Sequence, residues 1–261
     1  MRKKRVIRWF AAYLLLRIIA RSLRLAVARG VVEIGRENLP KDGPVFMNAN
    51  HMTTAEEAGI ILDRLPKKGI HILYKSDLEK GKNPLTYVIG AFIVRPVLRL
   101  AGFIPTNRDI KETVAVEKII DVINQKGWLL AMPERTSRQP VLVEGKGKGT
   151  ARIAMQYDCL VLPIGVSGAK GAIVNGLKSY LKLGKKQTLT IAYGQPFRLS
   201  QLGISQENDP TGERATTAIM VRIGALLPRY LWGFYEEQIE EFLSSDAFDV
   251  SHYQSIQSRF W

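Results

Sequence analysis

From Gly30 onward the sequence alternates short apolar runs with amphipathic stretches of helical period, and this alternation restricts the chain more than any other feature. Val31–Ile34, Pro44–Asn48 (PVFMN), Ile70–Tyr74 (IHILY), Trp128–Met132, Leu160–Val166 (LVLPIGV) and Thr188–Tyr193 read as strands. Helices are predicted over Ala55–Leu65, capped by Thr53 or Thr54, and over Tyr87–Ala101, Lys111–Gln125, Gly149–Tyr157, Thr211–Leu227 and Glu236–Leu243. In Lys111–Gln125 the apolar residues fall at 114, 116, 119, 120 and 123. Trp128–Met132 is apolar throughout, as a strand covered on both faces is. Strands alternating with helices predict an α/β fold, a mostly parallel sheet flanked by helices. A length of 261 residues suits one such domain with short appendages.

Charge separates the appendages from the body. The formal net charge is +14, yet residues 1–30 hold nine Lys/Arg and no acid, so 29 basic and 24 acidic residues remain for the rest. Glu236–Asp249 is the reverse, with six acids and no base. The expected organisation is a basic amphipathic arm over 1–30, an α/β body over 31–235, and an acidic helix and tail over 236–261. The apolar run Trp9–Leu16 is eight residues, too short to span a bilayer, which needs about 20. Wound as a helix, the arm puts Arg17, Arg21 and Arg24 in a narrow stripe and Leu15, Ile19, Leu23 and Ala26 opposite. That pattern predicts a helix lying in the interface of an anionic leaflet, peripheral or monotopic, with no transmembrane span. No cleavage site follows, so a secretory signal is a poor description. Nucleic acid is the rival anionic partner; interleaved leucines and a nearly neutral body argue against it.

Few residues are available for cofactor or nucleophile chemistry. One cysteine, Cys159, and three histidines leave little for a disulfide or a structural zinc site, so neither a metal nor a cofactor is expected. Gly145-Lys-Gly147-Lys-Gly149 fails as a dinucleotide loop because Thr150 stands where the last glycine belongs. Gly165-Val-Ser-Gly168 is one residue short of a nucleophile elbow, and no P-loop occurs. His71, inside an apolar strand, and His252, in the acidic tail, read as structural. His51 differs, because it follows a predicted strand directly, where α/β folds place their sites. Glu56, five residues on in the first turn of a helix, could orient it as a general base.

Four blocks in order give the chain a resemblance to the glycerophospholipid acyltransferase family, of which bacterial 1-acylglycerol-3-phosphate acyltransferases are typical. Asn50-His51 with Glu56 is similar to the family's N-H-x-x-x-x-D. Gly102-Phe-Ile104-Pro-Thr-Asn-Arg108 is similar to G-x-I-x-x-x-R, and Met132-Pro133-Glu134-Arg135-Thr136-Ser137-Arg138 to F-P-E-G-T-R-S. Leu162-Pro163-Ile164 matches V-P-I, with Lys148-Gly149 before it.

The resemblance implies an O-acyltransferase of phospholipid biosynthesis at the cytoplasmic face of the membrane. The donor would be acyl-CoA or acyl-carrier protein, and the acceptor a lysophospholipid, foremost lysophosphatidic acid. It implies His51 and Glu56 as the catalytic pair, with Arg108, Glu134, Arg135, Thr136 and Arg138 at the acceptor's phosphate. Two departures stand out: Glu56 replaces an aspartate, and Arg135 replaces the glycine of the third block, where a side chain crowds a tight turn. They leave two alternatives open, a different lipid acceptor or a weakly catalytic lipid-binding protein of the same fold.

Overall fold

The computed structural model describes residues 11–22, 28–52, 56–65, 70–75, 95–106, 113–135, 140–169 and 187–259. Seven strands form one sheet: β1 (Ala28–Ile34), β2 (Val45–Ala49), β3 (Ile70–Lys75), β4 (Ile104–Thr106), β5 (Trp128–Ala131), β6 (Leu160–Ser167) and β7 (Gln187–Tyr193). Their order is β1-β7-β6-β2-β5-β3-β4. β6, β2, β5, β3 and β4 run parallel; β7 is antiparallel to β6 and carries β1 parallel to itself. The sheet is thus mostly parallel, with one reversed edge pair.

Helices cover both faces. They are α1 (residues 11–22), α2 (Glu56–Arg64), α3 (Arg95–Leu100), α4 (Thr113–Asn124), α5 (Lys148–Gln156), α6 (Glu213–Gly224), α7 (Glu236–Ser244) and α8 (Val250–Gln257). Every residue of β2 and β5 is buried, which explains why β5 is wholly apolar and β2 apolar but for Asn48. Alternation survives inside that run. Val45, Met47, Ala49, Trp128, Leu130, Leu162 and Ile164 pack in one apolar cluster with α1 and α2. Phe46, Leu129 and Val161 pack in the other, with residues of α4 to α8.

Two elements go beyond the sequence reading. β4 is three residues long with Pro105 inside it; it pairs only with β3 at the sheet edge, where a missing N–H is tolerated. α8 places Tyr253 and Ile256 in the same cluster as Ile239 and Phe242 of α7, so the acidic tail is fastened to the body. A buried ion pair helps hold it: Arg222 donates to Asp249 through Nε at 2.7 Å and through a terminal nitrogen at 3.0 Å. The guanidinium also lies 4.6 Å from the Phe197 ring centre and 4.7 Å from that of Phe242.

The arm shows a definite phase. Ala12, Tyr13 and Ala20 are buried against the domain, and the Arg17 guanidinium donates to the Asp63 carbonyl at 3.2 Å. Leu14, Leu15, Ile18 and Ile19 are left between 45% and 54% exposed. The stripe predicted to face anionic lipid therefore begins, at Arg17, beside the docked side of the helix. Leu23, Arg24 and Ala26 lie outside the described residues, as do the predicted caps Thr53 and Thr54 and the start of the helix predicted from Tyr87. No helix among the described residues is long and apolar enough to cross a membrane.

Candidate active site

β5, β2 and β6 lie side by side; β5 and β2 end within a residue of each other, with Asn48 level with Ala131, and β6 runs on past Ile164, which is level with Ala49. The loops leaving their carboxyl ends converge, and that rim is where open α/β sheets bind ligands. β2 leads into Asn50-His51, and β5 into Met132-Pro133-Glu134.

Asn50 is fully buried and pairs with the backbone of Val166: its Nδ2 donates to the carbonyl at 2.9 Å, and its Oδ1 accepts from the amide at 2.7 Å. The side chain thus extends the β2–β6 ladder past the last strand residue and sets the point from which His51 departs. The His51 backbone N–H then donates to Glu134 Oε2 at 2.6 Å. Its ring Nδ1 is buried and lies 4.0 Å from Oε2 of Glu57, whereas the side chain as a whole keeps 20% exposure. The accessible part of the ring is therefore not Nδ1.

Glu134 is 1% exposed. Burial pushes its carboxyl up from 4.5 to about 7; the amides of His51 and Val143 oppose that rise, and nearby Glu57 adds to it. The resemblance implies Glu134 at the acceptor's phosphate, but its carboxylate turns inward to the His51 main chain. Beside it Arg135 has φ +56°, the left-handed conformation in which a side chain is strained, and its amide closes a turn on the Met132 carbonyl at 3.2 Å. The crowding expected from the lost glycine falls at a backbone geometry that glycine suits. The Pro133 carbonyl accepts from the amides of Lys146 and Gly147 at 2.9 and 2.7 Å. A Cβ on Gly147 would stand 2.9 Å from the Pro133 Cα, so the two segments meet backbone to backbone. Lys148, the lysine of the matched Lys-Gly pair, opens α5 and pairs with Glu213 at 3.0 Å.

His51, Glu134 and Arg135 are thus brought together. Arg108, Thr136 and Arg138 lie outside the described residues, as does the side chain of Glu56. Glu57, which the sequence did not single out, stands beside the His51 ring. His71 is held by Nδ1 to the Gly102 carbonyl at 2.7 Å, and burial lowers its pKa; His252 lies at hydrogen-bonding distance from Asn38 and the Tyr193 carbonyl. Among the described residues no three His, Cys, Asp or Glu side chains gather as a metal ion would require.

The acyltransferase family model matches residues 31–167, just over half of the chain. Among solved structures, the 1-acyl-sn-glycerophosphate acyltransferase PlsC from Thermotoga maritima aligns over 90% of this chain and 81% of its own, with a TM-score of 0.53 and 18% identity. That likeness is one of fold. No curated protein matches by sequence.

Proposed function

Since the chain belongs to the acyltransferase family, we propose that it transfers a fatty acyl chain from acyl-CoA or acyl-carrier protein to a hydroxyl of a glycerol-phosphate lipid, foremost lysophosphatidic acid to give phosphatidic acid. The observation that carries the reading is His51 at the carboxyl end of β2, its backbone gripped by Glu134 and its ring partly open to solvent.

The chemistry follows from that placement. The acceptor hydroxyl gives its proton to Nε2 of His51 as its oxygen attacks the thioester carbonyl carbon. The C–S bond breaks, the imidazolium returns the proton to the departing thiolate, and an ester and a free thiol result. A carboxylate from the first turn of α2 holds the ring for this role. Arg108, Arg135, Thr136 and Arg138 supply the acceptor's phosphate site, since guanidinium groups suit bidentate phosphate contact. Glu134, buried and turned inward, holds their segment against His51.

The exposed Leu14, Leu15, Ile18 and Ile19, together with the basic arm, support attachment at the anionic cytoplasmic face of a membrane without spanning it. The strained Arg135 favours a second acceptor class as the alternative, because it puts a charged side chain where the resembled family has glycine, in the segment proposed to bind phosphate. The test is acyl transfer from labelled acyl-CoA and acyl-carrier protein to a panel of lysophospholipids and other lipid hydroxyls. Wild type should consume thioester only with an acceptor present, and His51→Ala should be slower by roughly 10²–10⁴-fold. No acceptor-dependent turnover would leave a lipid-binding role.

A further inference from the structure

The face that α2 turns to the domain carries an acid. Glu57, Ile60, Ile61 and Leu65 are all buried, at spacings that put them on one side of a helix. Three of the four are aliphatic, as such a face requires. The fourth is a carboxylate whose side chain is 1% exposed, and withdrawing one from water is costly unless something answers it. The His51 ring stands 4.0 Å away through Nδ1.

The identity of this acid is not interchangeable with that of its neighbour. Successive helix residues are about 100° apart around the axis, so two adjacent positions do not present a carboxylate to the same point. The other acid at His51, Glu134, meets its backbone N–H and so does not choose the ring tautomer.

Resting on the reading of His51 as the base, we propose that Glu57 is its positioning residue, at a spacing of six residues where the resemblance implies five. Glu57 takes the Nδ1 hydrogen, which fixes the tautomer with the free lone pair on Nε2, on the part of the ring that remains accessible. It also faces the imidazolium that forms when the hydroxyl proton arrives. The 4.0 Å separation is about 1 Å beyond a charge-assisted hydrogen bond; such contacts are commonly long in unliganded sites and tighten with substrate bound.

The experiment uses full-length protein in detergent, labelled with ¹⁵N-histidine. Three histidines keep the spectrum simple, and His51→Ala assigns the signal. Glu57→Gln should lower kcat by roughly 10²-fold with KM little changed, and move the His51 ring signals away from a pure Nδ1–H tautomer. Glu57→Asp should recover at least tenfold of that loss, and Glu56→Gln should lose at least tenfold less than Glu57→Gln. Wild-type kcat in Glu57→Gln, a larger loss in Glu56→Gln, or ring signals unmoved by Glu57→Gln would each overturn the assignment. Wild-type turnover in His51→Ala would instead overturn the reading of His51 as base; the ring signals still report on Glu57 in that case.

Discussion

Replacing Glu134 with glutamine separates the cost of burying its charge from the benefit of its hydrogen bonds. The amide keeps the shape, and its carbonyl oxygen can still accept from the His51 N–H. In the wild type, a carboxyl raised from 4.5 to about 7 binds more protons folded than unfolded across that interval. Its contribution is therefore fully present below pH 4.5 and is lost as pH rises through about 7. At about 1.4 kcal/mol per pH unit the loss is about 3 kcal/mol. Glutamine carries no such dependence. The unfolding free energy of Glu134→Gln minus that of wild type should accordingly rise by about 3 kcal/mol between about pH 4 and about pH 8. Urea titrations followed by tryptophan fluorescence measure it, and the subtraction cancels groups that titrate alike in both proteins. A difference that is flat with pH, or that falls as pH rises, would refute the reasoning.

Three further outcomes are expected. Arg135→Gly relieves a left-handed side chain worth about 1–2 kcal/mol and returns about 0.5–1 kcal/mol of chain freedom, so the unfolding free energy from urea titration should rise by up to about 1.5 kcal/mol. Asn50→Ala strands the buried amide and carbonyl of Val166; a loss of about 2–4 kcal/mol, with turnover falling as His51 shifts, is expected from urea unfolding and the acyl-transfer assay. Replacing Leu14, Leu15, Ile18 and Ile19 by serine should cut co-sedimentation with anionic vesicles at least tenfold while circular dichroism stays unchanged, because these side chains are already exposed. Substitution is cleaner here than deletion, since Tyr13 and Ala20 are buried in the domain and β1 begins at Ala28.

What the sequence made legible was whatever depends on period and covalent order. β2, β5 and β6 announce themselves because strands buried on both faces are mostly apolar, and His51 is placed as soon as β2 is. Arg135 stood out by occupying a glycine's place, and the backbone there is left-handed. β4 was silent, since three residues around a proline take their conformation from pairing with β3. α8 reads VSHYQSIQ, with too few apolar residues to signal a buried face, and only its docking on α7 makes Tyr253 and Ile256 core. Glu57 was not singled out because two adjacent glutamates look alike to a motif. The phase of α2 separates them, and that phase was visible in Ile60, Ile61 and Leu65 all along.

The bonds that fix the site join distant parts of the chain: His51 to Glu134 across 83 residues, and Asn50 to Val166 across 116. No contiguous segment of the polypeptide holds the rim by itself. During synthesis the histidine emerges long before the residues that anchor it, and closing such loops costs entropy that only the assembled sheet repays. The geometry of the candidate site is in this sense a readout of completed folding. Lesions as remote as the Arg222–Asp249 pair should then lower the number of competent molecules and leave the turnover of each competent molecule intact.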